Sequence, residues 1–169
     1  YDIFTSNKNM QVEQFQIGGN GSGVSFNSKL GKNAQLVFLF GGIHRIREKS
    51  NLTLIHKLYP NSFIIGCTTA GEIFDTKVLD DSLVVTAILF EHTKIFGATL
   101  CLDEIPDSYL AGKELARKIP KEKLRHIFVL SDGLKVNGAE LVKGLAENAP
   151  NGVTITGGLA GDGDRFKET

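Results

Sequence analysis

Apolar residues in this chain fall into short continuous runs, parted by stretches in which they recur every three or four positions. Leu36 to Phe40 is one such run, as required of a strand covered on both faces. It breaks at Gly41-Gly42. Beyond it Leu52, Ile55 and Tyr59 recur at helical spacing, with Asn51 placed to cap the helix. Pro60-Asn61 ends that stretch, and the next strand, Ser62 to Ile65, leads into Gly66-Cys67-Thr68-Thr69-Ala70-Gly71. The same order returns later. Ile127 to Leu130 stops at Ser131-Asp132-Gly133, Asn137 to Glu140 has the form of a capping box, and Leu141, Val142, Leu145 and Ala149 make a helical stripe. Pro150-Asn151, the strand Val153 to Ile155 and the loop Gly157 to Gly163 follow. Pro60 to Gly71 and Pro150 to Gly161 are equal intervals. The pattern predicts two β-α-β units whose four strands share one sheet, with right-handed crossovers.

Between the units lie two apolar segments, Ser82 to Phe90 and Ile95 to Leu102, parted only by Glu91 to Lys94. So short a connection predicts an antiparallel hairpin. A helix opened by Pro106-Asp107, with Ala111, Leu115 and Ile119 on one face and Pro120 as its stop, precedes the second unit. Near the start, Met10 to Ile17 and Val24 to Phe26 are short strand candidates flanking a glycine run, Gly18 to Gly23, that lacks the spacing of a phosphate or dinucleotide loop. The expected fold is a layered α/β domain: a mixed, mostly parallel sheet with flanking helices, built from two β-α-β pseudo-repeats separated by an antiparallel hairpin. Residues 1–9 are polar, lack periodicity and precede the only methionine, Met10, so they read as an added leader. Residues 10–169 read as one ligand-sensing domain truncated at its C-terminal end, in a segment of loop character.

Composition narrows the function. Lysine plus arginine equals aspartate plus glutamate at 19 each, so no overall field draws the chain to nucleic acid or an anionic membrane. No apolar run approaches the roughly 18 residues of a membrane span, and a cytoplasmic location is expected. Two cysteines, Cys67 and Cys101, indicate neither a disulfide framework nor a CxxC site.

Three loops carry a family resemblance. Ile-Ile-Gly-Cys-Thr-Thr-Ala-Gly-Glu-Ile at 64 to 73, Leu-Ser-Asp-Gly-Leu at 130 to 134 and Gly-Gly-Leu-Ala-Gly-Asp-Gly at 157 to 163 resemble the FIST N-terminal domain of signal-transduction proteins. The resemblance implies a sensory domain that binds small, amino-acid-like molecules. It also implies a FIST C-terminal domain or a signalling output module as partner. The sequence itself, with no Gly-x-Ser-x-Gly elbow, phosphate loop or carboxylate pair at a telling interval, points to a non-catalytic role. No cofactor is expected, although some similar proteins bind haem to sense nitric oxide, and His44 is the candidate axial ligand for that alternative.

Ligands of open α/β sheets bind beyond the carboxyl ends of strands, which selects Gly66, Cys67, Thr68, Thr69, Glu72, Asp132, Gly133, Gly157, Gly158 and Asp162. Glycines let backbone N–H groups approach a ligand, the threonines bring hydroxyls suited to a carboxylate, and Glu72, Asp132 or Asp162 is placed to pair with an amino group. Asp132 has a plainer reading as a turn cap. Cys67 would serve as a nucleophile, a third alternative, only with a base beside it; a half-buried thiol is the plainer reading. His56 lies near the apolar side of its helix and reads as a packing residue. None of the four histidines forms an HxH or HExxH pair, so no metal site is encoded locally.

Overall fold

The computed structural model describes residues 3–6, 9–18, 26–105 and 107–169. The chain forms two compact units, Tyr1–Ile95 with Gly161–Thr169, and Phe96–Ala160. In the first unit the order is β1 (Ile3–Ser6), β2 (Met10–Ile17), β3 (Leu36–Gly41), α1 (Ile43–Arg47), α2 (Lys49–Leu58), β4 (Phe63–Thr68), β5 (Glu72–Phe74), β6 (Lys77–Leu79) and β7 (Leu83–Phe90). The second unit contains α3 (Ser108–Lys118), β8 (His126–Ser131), α4 (Gly138–Asn148) and β9 (Thr154–Leu159).

Five strands of the first unit form one sheet in the order β1-β2-β7-β3-β4. Only β3 and β4 are parallel in it; the other neighbours run antiparallel. This corrects the mostly parallel expectation. It corrects the hairpin as well: β7 is flanked by β2 on one edge and β3 on the other, so no edge remains for residues 95–102, which form no strand. Nor do the four strands of the two β-α-β segments share a sheet, since β8 and β9 pair with each other in a sheet of their own. Residues assigned to a leader contribute β1, whose backbone pairs with residues 11–14. Val24 and Ser25 lie outside the described residues.

Alternation along β2 turns Glu13, Phe15 and Ile17 to one face, where they are buried with Val37, Leu39, Leu83, Val85 and Ala87. Ile55 and Tyr59, on the apolar stripe read from the sequence, close this core from the helical side. Burying each such side chain contributes about 1.5–3 kcal/mol. Asn51 does not open the helix. α2 begins at Lys49, and the buried Asn51 carboxamide donates to the Arg45 carbonyl at 2.9 Å, bridging the break between α1 and α2.

In the second unit α3 and α4 cross closely because both carry glycine at the contact. A Cβ on Gly112 would strike the Leu141 carbonyl, and one on Gly144 would strike that of Tyr109. Asp107 caps α3 through the Leu110 N–H, and Asn137 caps α4 through those of Ala139 and Glu140. The capping box is half formed, since the Asn137 N–H goes to Ser108 Oγ and not to Glu140. Val142 corrects the predicted stripe: one position past buried Leu141, it turns outward and is 43% exposed.

Candidate functional site

At the carboxyl end of β4 the chain leaves the sheet through Thr68 and Thr69, turns, and enters the β5–β6 hairpin at Glu72. The Thr69 N–H donates to the Gly41 carbonyl at 3.1 Å, continuing the β3–β4 ladder by one bond. Glu72 is 1% exposed. Its Oε1 accepts from the Thr69 hydroxyl at 2.6 Å; its Oε2 accepts from the Ser82 N–H at 3.1 Å and the Ser82 hydroxyl at 2.8 Å. The carboxylate thus ties the strand-end loop to the start of β7, and the Ser82 carbonyl accepts from the Gly42 N–H. Thr68 is also buried, at 6% exposure, yet its hydroxyl has no hydrogen-bond partner among the described residues. Its carbonyl accepts from the Gly161 N–H at 2.9 Å.

That last bond brings residues 161–169 to the first unit's site. Buried Asp162 gathers them: Oδ2 accepts from the N–H groups of Lys167 at 2.9 Å and Glu168 at 3.1 Å, and Oδ1 pairs with the Arg165 guanidinium. The Lys167 N–H bond, with those from Glu168 and Arg165, holds the Asp162 carboxyl below its ordinary pKa against the opposing effect of burial. Arg47 clamps Glu168 through two bonds of 2.9 and 2.8 Å.

Six of the sequence candidates therefore lie in the first unit: Gly66, Cys67, Thr68, Thr69, Glu72 and Asp162. Asp132, Gly133, Gly157 and Gly158 belong to the second. There Asp132 Oδ1 accepts from the N–H groups of Leu134 and Lys135, the bonding of a turn cap. Close packing accounts for three of the four glycines: Gly66 faces Leu39 across the ladder and Gly157 faces Val129, and a Cβ at either would run into its neighbour's backbone. A Cβ at Gly133 would meet the Ala160 carbonyl, whereas Gly158 faces open space. The second unit also has a groove of about 590 Å³ between the N-terminal turn of α3 and the length of α4 from Glu140 to Glu147. In it the Tyr109 hydroxyl donates to Glu147 at 2.8 Å, which raises the Tyr109 pKa.

Sequence reasoning missed Ser82 and Glu13. In the sequence Ser82 is only the first residue of the apolar segment Ser82 to Phe90; its role depends on a partner ten residues away. Glu13 was accessible, because β2's alternation puts it on the face of Phe15 and Ile17. Buried there, it accepts from the Tyr59 hydroxyl at 2.7 Å and the Lys29 N–H at 2.8 Å.

A family model for the FIST N domain matches residues 35–169. The chain belongs to this family. No curated protein and no solved structure matches it. FIST N domains are sensory domains of signal transduction. In this FIST N domain burial raises the Cys67 pKa, the direction opposite to that of an activated nucleophile. His44 is exposed on α1, and His56 is exposed too, outside the packed stripe of α2. Among the described residues no cluster of three or more His, Cys, Asp or Glu side chains is placed to hold a metal ion, and no helix is long and apolar enough to cross a membrane.

Proposed function

We propose that this FIST N domain senses a small, polar, amino-acid-like molecule, without catalysis, through residues 66–72 at the carboxyl end of β4. The observation that carries the reading is Thr68: its hydroxyl is buried without a partner, within the strand-end loop of the family motif. Leaving a buried polar group unbonded costs about 1–3 kcal/mol, a cost that a ligand bonding to it would recover. Thr69, Glu72 and Ser82 hold the surrounding loop in shape. A ligand that favours one arrangement of this loop over another shifts the population between them and so biases an attached FIST C-terminal domain or output module. We place this activity in the cytoplasm.

Thermal unfolding in the presence of a metabolite library tests the reading. A ligand at 100 times its dissociation constant adds about 2.7 kcal/mol, and each kcal/mol moves the midpoint of a chain this size by roughly 2–4 °C. At least one amino acid or similar small polar compound at millimolar concentration should raise the midpoint. A library that moves nothing removes the reading's support.

A further inference from the structure

Three carboxylates were candidates for a ligand's amino group, and their surroundings separate them. Asp132 Oδ1 is occupied by two backbone N–H groups of its own turn. Asp162 already has a cation, the Arg165 guanidinium, besides two backbone N–H bonds. Glu72 is different. It is buried, its three donors are the neutral groups of Thr69 and Ser82, and no lysine, arginine or histidine among the described residues forms an ion pair with it. A carboxylate offers about four lone-pair sites. Glu13, the other buried carboxylate of this unit, receives four donors, from Ser28, Lys29, Leu30 and Tyr59. Glu72 is one donor short of that, and in the same loop the Thr68 hydroxyl oxygen is buried with no donor at all.

We infer that Glu72 and Thr68 form the subsite for an ammonium group of the ligand. A primary ammonium carries three N–H donors and no acceptor, so one proton can go to the Glu72 carboxylate and another to Thr68 Oγ1. The cation compensates a buried negative charge that neutral donors alone now hold. The inference rests on the sensory reading above and names the group that site recognises. It also supplies a readout, because the carboxylate that takes the ammonium is the one tying the β5–β6 hairpin to Ser82.

The test compares thermal shifts of the 169-residue chain with each common amino acid, with its N-acetyl derivative, and with the corresponding 2-hydroxy acid. An amino acid should raise the midpoint, and the two analogues, which lack the ammonium, should not. Glu72→Gln, which keeps the shape and removes the charge, should weaken binding at least about tenfold. Equal binding of parent and N-acetyl derivative overturns the inference, as does wild-type affinity in folded Glu72→Gln. Should that variant not fold, Thr68→Val decides: a loss of about fivefold supports the subsite and unchanged affinity removes it. A response to hydroxy acids alone leaves the sensory reading standing and ends this inference; no response to any compound ends both.

Discussion

The β3–β4 and β8–β9 pairs, each joined by helix, share a backbone pattern and differ in what they enclose. Both are six-residue parallel pairings with glycine at the fourth position of the second strand, Gly66 opposite Leu39 and Gly157 opposite Val129. Both extend their ladders by equivalent bonds at the two ends, Phe63 N–H to Gln35 and Thr69 N–H to Gly41 in one, Thr154 N–H to Arg125 and Ala160 N–H to Ser131 in the other. Both β4 and β8 end on a buried hydroxyl without a hydrogen-bond partner among the described residues, Thr68 and Ser131, yet after β4 the Glu72 carboxylate is also buried, with Ser82, while after β8 the Asp132 carboxylate caps an exposed turn and β9 exposes most of its residues. Register governs where the loops emerge. Burial governs whether their polar groups are held in a low-dielectric setting where a ligand's charge counts.

The glycine pair should give the largest effect. Gly66→Ala and Gly157→Ala each force a Cβ into a neighbouring backbone, and Gly157 also has φ +152°, so each should destabilise by about 3 kcal/mol in urea unfolding. A harmless substitution at one position and not the other would break the likeness between the units. The polar contrast comes next. Glu72→Ala strands the donors of Thr69 and Ser82 and should cost about 2 kcal/mol; Asp132→Ala loses an exposed cap and should cost about 0.5 kcal/mol. Equal costs would erase the difference between buried and exposed loops. Thr68→Val should stabilise the unliganded protein by about 1 kcal/mol, since it removes an unbonded buried hydroxyl at constant volume; a loss of stability would show that the hydroxyl has a partner.

The smallest expected effect is that of pH. The Asp162 carboxyl is held below its ordinary value, so the folded state binds fewer protons than the unfolded state there. Its contribution is complete above the unfolded value of about 3.9 and fades as pH falls toward and through the folded one. Stability measured from pH 6 to pH 3 should decline less steeply in Asp162→Asn than in wild type. Identical slopes would mean that this cluster does not titrate as a unit.

Local signals were legible in the sequence: the continuous runs of β3 and β8, the Ile55–Tyr59 stripe, the Asp107 and Asn137 caps. Misreadings arose where an outcome depends on competition between distant segments. Residues 95–102 are apolar enough for a strand, but β7 has no free edge for them. The β5–β6 hairpin escaped notice because each strand is three residues long, its outer side chains, Ile73 and Val78, are 70% and 74% exposed, and the buried face of β5 pairs Phe74 with a charged residue, Glu72, which breaks the apolar alternation. At the site, Thr68, Thr69 and Glu72 were selected by their place after β4. What singles out Glu72, a buried carboxylate whose donors are neutral, depends on Ser82 and on its forming no ion pair among the described residues, and neither is visible in local spacing.

Amide NMR of the protein, titrated with whichever amino acid raises its unfolding midpoint, locates the ligand most directly. The account predicts saturable shifts at the amides of Thr68, Thr69, Glu72 and Ser82, with those of Asp132, Gly133, Leu134 and Lys135 unmoved. Shifts confined to residues 130–137 or to the groove between α3 and α4, or the absence of any saturable shift, would contradict it.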